Sequence, residues 1–149
     1  MSTHILEVAA RSQWTSGVQT VTRVRDFAPF VMDEPAALGG QNEGPNPLEF
    51  LVASLNGCKG VMIPLIAREM DFEFTELNFA SEGVIDVRGL MGQEGISTHF
   101  QSLDFQVTIR TEESDERLKA LEDAVSARCP IYNLLREAKV ALRTHWRRA

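Results

Sequence analysis

Asn46-Pro47-Leu48-Glu49-Phe50-Leu51-Val52-Ala53-Ser54-Leu55-Asn56-Gly57-Cys58 opens the most apolar segment of the chain and carries one of its two cysteines. From Pro47 to about Met70 the spacing is helical. Leu48, Leu51, Val52, Leu55, Met62, Leu65 and Ile66 make this helix apolar over much of its circumference, so it has to be buried. Pro64 lies inside it, and a kink or break is expected between Gly60 and Pro64. The second cysteine, Cys129, stands directly before Pro130 at the start of a further helix. Proline suits the first helical position, so Cys129 is the cap residue, where unpaired backbone N–H groups and the helix dipole favour a thiolate. Either thiol taken singly reads as a small buried hydrophobe. The two settings together point to redox chemistry.

On the N-terminal side of this helix the chain reads as strands. Val18, Thr20, Thr22 and Val24 alternate with Gln19, Val21, Arg23 and Arg25, after a turn at Ser16-Gly17 that follows an extended run from Ile5 to Trp14. A third extended run, Phe27 to Met32, ends at Asp33-Glu34-Pro35. The segment 36–47 is dense in glycine and proline and must be a shaped loop, but its glycines do not follow a strand in the order of a nucleotide-binding fingerprint. On the C-terminal side, Asp71 to Val87 reads as one bent strand or two half-strands, and 88–95 as a flexible connector. The cleanest strand follows, with Leu103, Phe105, Val107 and Ile109 on one face and Asp104, Gln106, Thr108 and Arg110 on the other. Ser114 caps the next helix, whose buried face is Leu118, Leu121 and Val125. A short helix opens at Cys129-Pro130, and Val140, Leu142, Thr144 and Trp146 alternate as a closing strand. The order β-β-β-α-β-β-α-α-β predicts an α+β fold, an antiparallel sheet covering a central helix.

A length of 149 residues suits one domain, 1–149, that buries roughly two thirds of its extended-chain surface. The net charge of -6 argues against a nucleic-acid groove, because phosphate binding needs an excess of Lys and Arg on one face. The one basic cluster, Arg143, Arg147 and Arg148, reads as a solvated tail. No membrane span and no secretion signal are expected, which places the protein in the cytoplasm. There a permanent disulfide is not expected, so the thiols are free, catalytic or transiently bonded. Without paired ligand spacing the cysteines do not make a zinc site, and His4, His99 and His145 are scattered and read as surface residues. No cofactor and no metal are implied.

Asp33-Glu34-Pro35, Leu38-Gly39-Gly40, Gly44-Pro45-Asn46-Pro47-Leu48-Glu49, Gly57-Cys58 and the later Cys129-Pro130 resemble, in order and over nearly the whole chain, the OsmC/Ohr family of osmotically inducible and organic hydroperoxide resistance proteins. The resemblance implies an OsmC-like fold in which antiparallel sheets wrap long central helices in an intertwined homodimer. It also implies a thiol-dependent peroxidase in which Cys58 is peroxidatic and Cys129 resolving, acting on a small apolar hydroperoxide and regenerated by an external dithiol reductant. A thiolate attacking a peroxide needs a nearby cation, and the leaving oxygen needs a donor. The resemblance assigns both tasks to an arginine of the N-terminal sheet. Arg25 is favoured and Arg23 is the alternative, the two being expected on one face of a strand.

One departure concerns the glutamate that holds the arginine. The best-studied peroxidases place it two residues after the Asn, where this chain has Leu48, with Glu49 one place later. Nine residues at about 100° each put Glu49 on the helix face opposite Cys58. Glu49 is therefore a candidate cap, and Glu34 and Glu43 on the preceding loop are equal candidates for the arginine's partner. A weaker turnover follows, and with it an alternative: an OsmC-like dimer that binds an apolar ligand or serves stress tolerance with little peroxidase activity.

Overall fold

The elements of the computed structural model, which describes residues 4–149, run β1 (Arg11–Ser16), β2 (Gln19–Arg23), β3 (Phe30–Met32), a 3-10 turn (Ala36–Leu38), α1 (Pro47–Glu69), β4 (Glu76–Ile85), α2 (Val87–Leu90), β5 (Phe100–Arg110), α3 (Asp115–Arg128), α4 (Pro130–Glu137) and β6 (Ala141–Arg148). This is the α+β class, with two three-stranded sheets. The chain divides into two compact units, one ending at Leu51 and the other Val52–Ala149.

In the first unit β1, β2 and β3 form an antiparallel meander. Ser16 pairs with Gln19, and Gly17 takes the left-handed conformation that the two-residue turn between them requires, at φ 53°. Strand β1 is exposed along its whole length. The loop dense in glycine and proline closes on one carboxylate: Asp33, 2% exposed, accepts from the backbone N–H groups of Glu34 (2.8 Å), Gln41 (3.2 Å) and Glu43 (3.2 Å). Gly40 is obligatory there, since a Cβ would stand 1.8 Å from the Glu34 carbonyl oxygen. A reciprocal cap starts α1, with the Asn46 side chain accepting from the Glu49 N–H and the Glu49 side chain from the Asn46 N–H, both at 2.8 Å.

In the second unit β4 and β5 are antiparallel from Glu76↔Arg110 onward, while β6 runs parallel to β5. The second sheet is thus mixed, where antiparallel pairing was expected. Two helices, α3 and α4, lie between β5 and β6 and return the chain to the same end of the sheet, the kind of crossover a parallel neighbour needs. The expected alternation in β5 is observed: Leu103, Phe105, Val107 and Ile109 are at most 1% exposed. Register places Phe79 of β4 and Trp146 of β6 on either side of Val107, on the same face. Helix α1 lies against β4, with Gly60 facing the Phe79 ring and Asn56 hydrogen-bonded to Ser81. Leu121 and Val125 of α3 complete the core, each such side chain contributing about 1.5–3 kcal/mol on burial.

Three further expectations change. Helix α1 runs unbroken through Pro64. The proline has no N–H for the Gly60 carbonyl, but burial of Ile63, Ile66 and Ala67 holds the helix on both sides of it. By length and composition α1 could also cross a membrane, a property it shares with the core helices of water-soluble proteins. Finally, part of the expected connector is helical, because Asp86 caps α2 by accepting from the Arg88 N–H at 3.0 Å.

Candidate functional site

Cys58 on α1 and Cys129 at the α3–α4 joint are 71 positions apart, yet their sulfurs are 2.9 Å apart, with the Cys129 thiol donating to Cys58. Both are free thiols, Cys58 half-buried and Cys129 fully buried. Local chemistry explains how Cys129 is held. It ends α3, its N–H bonded to the Val125 carbonyl at 3.0 Å, and it takes an extended conformation (ψ 112°), as a residue before proline must. Pro130 then starts α4, and the Tyr132 N–H donates to the Cys129 sulfur at 3.5 Å. The Asn133 amide pins the joint by donating to the carbonyls of Ser126 (3.1 Å), Ala127 (3.2 Å) and Cys129 (2.9 Å).

The electrostatic outcome reverses one expectation. Cys129 is a cap, as its sequence context indicates, but the cap does not decide its acidity. Burial, followed by the hydrogen bond it donates to Cys58, pushes the thiol up to about 11. The Tyr132 N–H and the charge of Lys59 act in the opposite direction without prevailing. A desolvated sulfur at a helix end thus keeps its proton until something else balances the charge.

Sequence reasoning missed Lys59. It is fully buried beside Cys58, its Nζ 4.2 Å from the centre of the Tyr132 ring and 5.6 Å from that of Phe105. Its pKa is lowered by burial, against which the two thiols and Glu122 act. The available signal was spacing: Leu55, Lys59, Ile63 and Ile66 form one stripe along α1, and a lysine inside such a stripe is not on the solvated face.

The other candidates lie in the unit that ends at Leu51. Arg23 is the last residue of β2, whereas Arg25 sits in the turn beyond it at φ 48°, stacked 4.5 Å above the Phe27 ring. The two are therefore not on one strand face, because the strand ends between them. Both are exposed. Glu34 accepts from the Asn46 side chain (3.1 Å), Glu43 from the Gln19 side chain (2.7 Å), and Glu49 belongs to the α1 cap. Among the described residues no ion pair joins any of these carboxylates to either arginine. His4, His99 and His145 are exposed, and no group of three or more His, Cys, Asp or Glu among the described residues could hold a metal.

Comparison with protein families matches residues 40–144 to the model described as OsmC-like protein. No curated protein matches the chain. Among solved structures, it is similar to an OsmC-like protein from Mycoplasma pneumoniae, with TM-score 0.83 and 17% identity over 97% of this chain and 98% of that one. It is also similar to an organic hydroperoxide resistance protein from Elizabethkingia anophelis (TM-score 0.78, 17% identity, all of both chains). A third is an organic hydroperoxide resistance protein OsmC from Legionella pneumophila (TM-score 0.74, 18% identity, 95% of this chain and 97% of that one). At these identities the likeness is one of fold.

Proposed function

The chain belongs to the family of OsmC-like proteins, and from that premise we propose that it is a thiol-dependent peroxidase for organic hydroperoxides, working as a homodimer. The observation that carries the reading is the 2.9 Å separation of the Cys58 and Cys129 sulfurs. Cys58, the more accessible sulfur, attacks one peroxide oxygen as thiolate. The O–O bond breaks, the other oxygen leaves as alkoxide and takes a proton to become the alcohol, and Cys58 becomes a sulfenic acid. The Cys129 sulfur then attacks the Cys58 sulfur, the hydroxyl leaves with a proton as water, and a disulfide forms. An external dithiol reduces it. An arginine, Arg25 or Arg23, is proposed to meet the developing charge at the leaving oxygen.

Thiol counting tests the cycle. One equivalent of cumene hydroperoxide should remove both thiols of each chain within seconds to minutes, Cys58→Ser should remove none, and Cys129→Ser should lose one and accumulate sulfenic or over-oxidised Cys58. Unchanged thiols in the parent protein would overturn the peroxidase reading. The alternative, a ligand-binding dimer with little turnover, is favoured by Leu48 in the place of the family's glutamate and by the use of Glu49 as a cap.

A further inference from the structure

Lys59 is the largest fully buried side chain in the chain's described part, and its Nζ has no hydrogen-bond partner among the described residues. In the stripe Leu55, Lys59, Ile63, Ile66 a methionine or leucine would fill the same space without desolvating a charge. Packing therefore does not explain the lysine. Around it, α4 presents Tyr132, the α3–α4 joint Cys129, α1 Cys58, β5 the Phe105 ring, and α3 Glu122. The two ring faces stabilise a cation but supply no counter-charge. Glu122 is drawn on by Lys119 as well, at 3.9 Å. Among the described residues the remaining groups that can balance an ammonium here are the two sulfurs.

We propose that Lys59 is the charge partner of the Cys58–Cys129 dithiol, its buried ammonium balancing the thiolate on whichever sulfur is about to react. The inference rests on the reading of these cysteines as the reacting pair. When Cys58 has become a sulfenic acid, Cys129 must attack from a site whose burial holds its proton in place. Lys59 offsets the charge that appears as that proton leaves; the proton goes to the departing hydroxyl, which becomes water, and the S–S bond closes. With the disulfide formed, no thiolate remains beside the lysine, and its ammonium keeps only Glu122 against its own desolvation. Lys59 is a positioning residue for charge, since it makes no hydrogen bond to either sulfur.

The test uses diamide, a thiol oxidant that is not a hydroperoxide, so its outcome does not depend on peroxidase activity. The reduced parent, Lys59→Met and Lys59→Arg are oxidised across a pH series, and loss of thiols is followed. The expected result is that Lys59→Met forms the disulfide about tenfold more slowly near neutral pH, with its profile displaced upward by about one pH unit, while Lys59→Arg stays close to the parent. Thermal melts are expected to show Lys59→Met at least as stable as the parent, which separates lost charge from lost structure. An unaltered pH profile in Lys59→Met overturns the proposal. Should that variant not fold, the unaltered protein decides: NMR of the lysine side-chain amines, assigned with Lys59→Arg, should show Lys59 losing its proton at lower pH in the oxidised than in the reduced form. Identical titrations in the two redox states overturn the proposal. A parent indifferent to cumene hydroperoxide whose Lys59 effects persist with diamide would remove the peroxidase reading alone.

Discussion

At Asp33 three backbone N–H groups converge on one carboxylate, and the loop before α1 keeps its shape through them. Burial pushes this carboxyl up, but the bonds from Glu34, Glu43 and Gln41, with Gln19, outweigh it and hold the pKa below the usual value. A lowered folded pKa contributes stability that is fully present above the unfolded value, about 3.9, and is lost as pH falls through the folded one. Cys129 acts at the other limb. Its raised folded pKa contributes stability present below the unfolded thiol value, about 8.5, and lost as pH rises toward about 11. Denaturant titrations across pH should show both declines. Asp33→Asn should flatten the acid one, and oxidation to the disulfide should remove the thiol's share of the alkaline one. A variant whose acid limb matches the parent would show that Asp33 is not the group responsible.

Among the elements, β5 carries the core of the second unit through Leu103, Phe105, Val107 and Ile109, while β4 beside it is half-buried on its inward face and exposed on the other. Burial predicts unequal costs within the second unit. Leu121→Ala, which empties a fully buried place on α3, should lower stability by about 2–5 kcal/mol. Val84→Ser, on the outward face of β4, should stay within about 0.5 kcal/mol. Chemical denaturation of the two variants measures both, and equal losses would mean that α3 does not close this core. The cap of α1 adds a smaller increment. Asn46→Ala removes the reciprocal pair with Glu49 and should cost about 1 kcal/mol.

For the whole molecule, several large apolar side chains among the described residues are exposed. Trp14 is 64% exposed on a strand with no buried residue, and Val61 and Leu65 are exposed on α1. The proposed homodimer would give these side chains a covering surface, and sedimentation at low micromolar concentration should then show a species of about twice 16.6 kDa. A compact 16.6 kDa species would overturn the dimer. By itself the sequence determined the order of the strands and of the helices α1, α3 and α4, the inward residues of β5, the Ser114 cap of α3 and the cap position of Cys129, because periodicity and capping are short-range effects written in neighbouring residues. Only the tertiary structure decided that Cys58 meets Cys129, that β6 runs parallel to β5, and that Lys59 is buried between Tyr132 and Phe105. It also decided the acidity of Cys129, which helix-end chemistry alone would have lowered. Contacts between residues far apart in sequence, and the desolvation they impose, depend on how whole elements pack, and no local pattern of residues encodes that sum.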